Sequence, residues 1–268
     1  MHEGTVADIH HQSMGVAVVT SSFNTLVGHW TLNTCMRIWI MGDSWGDEWG
    51  SGSMQGAKPS ESLSHTLATE FDCAVINLCR GGIGNGMALD ILKRAISKGE
   101  TAPTHVIQFW TEPLRDWNKY YNGPDKPSWT VTDAVDHIAH VQQQQTKSFR
   151  EDHGQPHWAI IGGQAPITHD HGRIIGASFS IEDWRAQLLE CELDYYASHL
   201  LGSYGSLDMY PRNRNTYKTK RKLLDRVNEI MDMQIRSKAF PDNAHPGWPQ
   251  FQPLIKNLIA WIRRTNQV

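Results

Sequence analysis

The stretch Met36-Arg-Ile-Trp-Ile-Met-Gly-Asp-Ser-Trp-Gly46 decides how the rest of the chain is read. A short run of almost wholly apolar residues stops abruptly at Gly42-Asp43, the mark of a strand buried on both faces of a parallel sheet. The same signal returns at Cys73–Leu78, at His105–Trp110 and at Trp158–Gly162. Helical periodicity fills the intervals, over Ser60–Glu70, Met87–Ser97, Thr132–Glu151, Ile181–Leu201, Thr216–Arg236 and Pro249–Arg263. Strands alternating with helices imply right-handed βαβ units and an open α/β sheet covered on both sides. Sheets of that kind carry their chemistry in loops beyond the carboxyl ends of the strands. No repeat, low-complexity block or linker divides the chain, so residues 36–268 read as one domain. Residues 1–35 lack a clear period and read as an N-terminal arm, either poorly ordered or packed on a neighbouring subunit of a homo-oligomer.

Composition narrows the function. Over 268 residues, 25 Lys+Arg stand against 28 Asp+Glu, a net charge of −3. Nucleic-acid binding would need a basic face, which that balance does not supply. No apolar run approaches the roughly 18 residues of a membrane span, and Met1–Leu26 lacks the basic start of a secretory signal. The four cysteines include no C-x-x-C pair and suggest neither a disulfide framework nor a common zinc site. A soluble, reduced protein without a signal peptide is the expectation. Eleven tryptophans are more than ordinary usage explains.

Two loops hold residues with chemical potential. Ser44 sits between glycines at a strand-to-helix turn, where a hydroxyl can stand clear of the sheet beside its own N–H. The bland alternative is a helix cap, with Ser44 or Asp43 satisfying first-turn amides. Near the other end, Phe240-Pro-Asp-Asn-Ala-His-Pro-Gly247 places Asp242 three residues before His245 in a proline-stiffened segment. A carboxylate at that spacing can hold the imidazole Nδ1 and leave Nε2 to take a proton from a serine. A surface histidine in a Pro-rich loop is the alternative for the pair alone, but its joint occurrence with the strand-ending Gly-Asp-Ser is much harder to obtain by chance.

These blocks resemble those of the SGNH, or GDSL-type, hydrolases, which are esterases and lipases on a flavodoxin-like three-layer α/β/α sandwich. Ile40-Met-Gly-Asp-Ser44 is similar to the family's first block, and Asp242-Asn-Ala-His245 to its last. The resemblance implies Ser44 as nucleophile, His245 as base and Asp242 as its orienting partner. Val75-Ile-Asn-Leu-Cys-Arg-Gly-Gly82 is similar to the second block, which implies an oxyanion hole built from the N–H groups of Ser44 and Gly82, with Gly81 one register away. The third block departs. Where the family shows Gly-x-Asn-Asp, this chain has Trp110-Thr-Glu-Pro113, so Glu112 falls where an oxyanion-binding Asn is expected. An ionised carboxylate there would repel the oxyanion, and a missing donor costs about 10²–10³ in rate. Three readings stay open: Glu112 protonated by burial, Thr111 or Asn85 as the donor, or a site that has lost ester hydrolysis.

The resemblance implies a serine esterase that needs no cofactor, acting on O-acyl esters, acetyl above all, of a carbohydrate. The alternative is a glycan-binding or structural module on the same fold. The Trp-Thr-Glu-Pro stretch is also similar to hydrolase-like proteins encoded by tailed phages, which implies an envelope or capsule glycan and leaves the location open, cytoplasmic or virion-associated. Trp45, Trp110, Trp117 and Trp248 fall within or just beyond the site blocks and are expected to stack on sugar or cover the acyl group. Trp39, Trp158, Trp184 and Trp261 read as core. The long segment Leu114–Thr130, with Arg115, Tyr120 and Tyr121, is expected to form a wall. Gly81-Gly-Ile-Gly-Asn-Gly86 lacks dinucleotide spacing and reads as a tight turn opening a helix. His137-x-x-His140 and His169-Asp-His171 have no third partner for a metal. The first pair reads as part of a solvated face with Gln142–Gln145, and the loop Gln164–Gly172 as a border of the substrate.

Overall fold

Successive side chains of a strand point to opposite faces, and in the central strands of this protein both sets are buried in apolar surroundings. The computed structural model describes residues 18–19, 36–47, 61–117, 129–201, 214–242 and 244–267. Its strands are β1 (Val18–Val19), β2 (Arg37–Met41), β3 (Ala74–Asn77), β4 (His105–Trp110), β5 (His157–Gly162) and β6 (Phe179–Ile181). The helices are α1 (Leu63–Phe71), α2 (Asn85–Ser97), α3 (Val131–Asp152), α4 (His169–Ile175), α5 (Trp184–Leu189), α6 (Tyr195–Leu200), α7 (Arg214–Arg236) and α8 (Trp248–Thr265). Ile38, Ile40, Ile107, Phe109 and Ile161 meet α1 and α8 on one face of the sheet. Trp39, Met41, Val106, Trp110, Trp158 and Ile160 meet α2, α3 and α4 on the other. That two-sided burial is why the runs in the sequence are continuous rather than alternating.

The sheet order is β1-β3-β2-β4-β5-β6. The five strands β2 to β6 pair in parallel, in the flavodoxin-like order second, first, third, fourth, fifth. The chain therefore grows outward from β2 to one side and then reverses to the other. The crevice opened by that reversal lies at the carboxyl ends of β2 and β4, where an open α/β sheet binds its ligand. Val18–Val19 adds an antiparallel edge to β3, so this part of the arm pairs with the chain's own sheet. The rest of 1–35 lies outside the described residues.

Two expectations need correction. Ile181–Leu201 is not one helix but the end of β6 followed by α5 and α6. Asp183 caps α5 by accepting the Ala186 N–H at 2.8 Å, Glu190 turns left-handed at φ 52°, and Asp194 caps α6 through the Ala197 N–H at 2.8 Å. Short polar side chains that bond their own backbone break a periodic pattern without disturbing it in the sequence. Likewise, Gln142 and Gln143 of α3 are buried rather than solvated. Among the described residues no helix is long and apolar enough to cross a membrane.

Candidate active site

The first loop leaves β2 through Gly42, whose φ is +139° and whose Cβ position is filled by the Phe109 backbone on β4, so only glycine fits. Asp43 then makes the turn: its Oδ1 accepts the Trp45 N–H at 3.0 Å, and its carbonyl accepts the Gly46 N–H at 3.2 Å. Among the described residues no helix begins at this turn, so Asp43 holds a turn and not a helix end. Trp45 points into the core, edge-on to Trp184 at 5.7 Å and against Phe240 at 5.8 Å. The loop is thus anchored on both sides of Ser44, which is itself buried.

The segment after β3 runs alongside. Leu78 N–H donates to the Ile40 carbonyl at 2.7 Å and Arg80 N–H to the Gly42 carbonyl at 3.2 Å. Asn77 ties the two loops together, donating to the Gly46 carbonyl and accepting from the Cys79 N–H, each at 2.9 Å. Gly81 thereby arrives beside the serine: a Cβ on it would stand 3.9 Å from Ser44 Cβ. Its N–H donates to Asp47 Oδ2 at 3.3 Å, and the next residue, Gly82, turns at φ +77°.

Asp242 and His245 pair as their spacing implies. The imidazole Nδ1 meets Asp242 Oδ2 at 2.6 Å, while Oδ1 accepts the N–H groups of Ala244 at 2.9 Å and His245 at 2.6 Å. Partial burial pushes the Asp242 carboxyl up, but the N–H bonds from His245 and Ala244 and then the imidazole outweigh it, and the net direction is down. An acceptor so held keeps the ring oriented. This loop meets the Ser44 loop through Phe240 on Trp45.

Beneath Ser44 lies a buried polar network. Arg115, on the 3₁₀ turn Pro113–Asp116 after β4, spreads its guanidinium over three groups. Nε meets Glu112 Oε2 at 2.7 Å, Nη1 faces Asp43 Oδ2 at 3.5 Å, and Nη2 donates to Gln164 Oε1. The Thr111 hydroxyl is shared between Glu112 Oε2 at 2.7 Å and Gln164 Oε1 at 3.3 Å. Asn85 donates to the Thr111 carbonyl at 2.8 Å and to Gln142 Oε1 at 3.1 Å, and accepts the Thr111 N–H at 3.0 Å. The side chains of Thr111 and Asn85, two of the three groups considered for the missing oxyanion donor, are therefore engaged in scaffolding, and the third, Glu112, is an ion-pair partner of Arg115. Burial raises the Asp43 carboxyl to about 6, with Arg115 opposing and Glu112 reinforcing the rise. Arg185 is also buried, its guanidinium 5.0 Å from the Trp45 ring centroid.

Gln164 is the residue that sequence reasoning did not single out, although its loop was expected to border the substrate. Its Nε2 donates to Ser44 Oγ at 3.2 Å. Gly163 delivers it, its N–H donating to the Trp110 carbonyl at 3.3 Å where the chain leaves β5.

The tryptophan expectation is corrected. Trp45, Trp110 and Trp117 are at most 1% exposed, so none presents a face to a sugar. Trp45 and Trp110 belong to the cores on either side of the sheet, and Trp117 packs with Trp129 and Leu114 in a third apolar cluster. Trp248, half-buried and stacked on Phe251, keeps part of its surface. Tyr120 and Tyr121 lie outside the described residues. His171 is buried, with Nδ1 against the Thr168 N–H at 2.6 Å, and among the described residues no group of three or more His, Cys, Asp or Glu could hold a metal.

No family model matches the chain, and no curated protein matches its sequence. Solved structures to which it is similar include an acetyl xylan esterase, Est2A, from the rumen bacterium Butyrivibrio proteoclasticus, at 11% identity and a TM-score of 0.41 over 90% of this chain and 66% of that one. AlinE4, an SGNH-hydrolase family esterase, aligns at 15% identity and a TM-score of 0.33 over 54% of this chain and 69% of that one. A carbohydrate esterase aligns at 11% identity and a TM-score of 0.39 over 88% and 67%. These likenesses are distant, and the fold rests on the strand order and register.

Proposed function

We propose that this chain is a serine hydrolase of ester bonds. Ser44 attacks the ester carbonyl, His245 takes its proton and later returns it to the leaving alkoxide, and Asp242 holds His245. The N–H groups of Ser44 and Gly82 face the developing oxyanion. Water then releases the acid, and no cofactor takes part. The observation that carries this reading is the Asp242–His245 hydrogen bond at 2.6 Å, on a loop packed against the tryptophan that follows Ser44. The position of Ser44 directly after β2, beside the reversal in strand order, supports it.

The substrate we propose is a short O-acyl ester, acetyl first, of a carbohydrate. The groups gathered around Ser44 are polar (Gln164, Thr111, Glu112, Arg115, Asp43), and the nearby indoles of Trp45 and Trp110 are spent on the core, which suits a small acyl group on a polar alcohol. A glycan-binding module without turnover is the second reading, resting on Glu112 where an Asn would bind the oxyanion. Hydrolysis of p-nitrophenyl acetate, with Ser44→Ala as control, separates the two. Turnover that vanishes with Ser44 supports the enzyme. Glycan binding that survives Ser44→Ala, with no turnover in the parent protein, supports the module.

A further inference from the structure

The third block of this chain puts a glutamate where the resemblance leads one to expect an amide donor, and the structure supplies an amide from elsewhere. Gln164 comes from the loop after β5 rather than the loop after β4. Its side chain is buried, and its orientation is decided by its partners. Oε1 faces two donors, the Arg115 guanidinium and the Thr111 hydroxyl. An amide turned the other way would set its NH₂ against a guanidinium, which has no acceptor at all. The NH₂ end therefore faces Ser44, and one of its two protons goes to Oγ at 3.2 Å. A donor that touches the nucleophile oxygen lies next to the carbon that oxygen attacks, and so next to the carbonyl oxygen that becomes negative.

We propose that the Gln164 side-chain amide is the third donor of the oxyanion hole, working with the N–H groups of Ser44 and Gly82. This assignment rests on the esterase reading above. Glu112 then has a defined part at the position where the resemblance implies the donor. It neutralises and aims Arg115, whose other nitrogens bind Gln164 Oε1 and face Asp43, so the carboxylate acts on the oxyanion only through the amide that it helps to orient. Asn85, Gln142 and Asp116 form the layer behind: Gln142 Nε2 donates to Asp116 Oδ2 at 2.7 Å, and Asp116 accepts the Gly86 N–H at 2.6 Å at the start of α2. A chain of groups bound to one another in this way holds a donor in place before the reaction, the condition under which it lowers the barrier.

The test is steady-state hydrolysis of p-nitrophenyl acetate by Gln164→Glu and Gln164→Met. Gln164→Glu keeps an oxygen for Arg115 and Thr111 but replaces the NH₂ by a second carboxylate oxygen, which when ionised cannot donate and brings a negative charge toward Ser44. Gln164→Met keeps the side-chain length without either polar group. Both should lower kcat by about 10²–10³ while KM stays within about threefold, because the bond is strongest in the transition state. Thermal melting shows that each variant is folded; the uncharged Gln164→Met decides the assignment, and Gln164→Leu, also uncharged and without a donor, serves if Gln164→Met does not fold. A folded variant that keeps kcat within about threefold of the parent overturns the assignment while leaving the esterase reading intact. A parent protein with no Ser44-dependent turnover overturns the esterase reading, and this assignment with it.

Discussion

Asp43→Asn exposes the electrostatics beneath Ser44. Asp43 is wholly buried, its Oδ1 holding the Trp45 N–H at 3.0 Å and its Oδ2 facing Arg115 at 3.5 Å. Burial is the dominant influence and lifts the carboxyl from 3.8 to about 6, against the pull of Arg115. Between those values the folded chain binds a proton that the unfolded chain releases, so this group's contribution to stability is complete below the lower value and is lost as pH rises to the upper one. At 1.36 kcal/mol per pH unit the interval amounts to about 3 kcal/mol. Asparagine keeps the shape and the acceptor for Trp45 N–H but does not titrate. The unfolding free energy of the parent minus that of Asp43→Asn should therefore fall by about 3 kcal/mol between about pH 3 and pH 7. Urea denaturation of both proteins, followed by tryptophan fluorescence, measures it, and the subtraction removes groups common to the two. A difference that is flat with pH refutes the reasoning. One that rises with pH would mean that the Arg115 ion pair outweighs burial.

Three more outcomes can be checked. Trp45→Ala empties a site bounded by Trp184, Phe240 and the Arg185 guanidinium and should lower the unfolding free energy by about 3–5 kcal/mol in the same denaturation assay. Burial pushes His105 and His171 down to about 4 and His199 to about 3. Unfolded histidines bind protons near pH 6.5, so stability present above that value is lost on acidification, and His199→Leu should reduce the loss between pH 7 and 5 by about 2 kcal/mol. Arg115→Lys replaces a planar fork by a point charge that cannot meet Glu112, Asp43 and Gln164 together, and kcat for p-nitrophenyl acetate should fall about 10–100-fold with KM little changed.

Much of the architecture can be read directly from the residues because the sandwich buries both faces of its central strands. Met36–Met41, His105–Trp110 and Trp158–Gly162 each appear as a mostly apolar, non-alternating run for that reason, with Arg37, His105 and Gln108 as the polar exceptions. The Asp242–His245 pair is equally legible, being an interaction across three residues of a stiff loop. Longer-range features escape. The Gln164–Ser44 bond spans 120 residues and depends on the chain crossing from β5 back over β4. A tryptophan beside a candidate nucleophile reads the same whether it faces solvent or, like Trp45, lies under Trp184 and Phe240, and only the packing of α5 and of the Phe240 loop decides between them. Gln142 reads as solvated among its glutamine neighbours. Its burial follows from Asn85 and Asp116, which arrive from elements distant in sequence to satisfy it.

The central claim is that Ser44 is a nucleophile activated by His245. A fluorophosphonate probe, which reacts covalently with activated serines, followed by peptide mass spectrometry, tests it most directly. The account predicts a single adduct on Ser44 in the parent protein and its loss in a folded His245→Ala variant. An adduct on another serine with Ser44 unmodified, or undiminished labelling of Ser44 without His245, would contradict it.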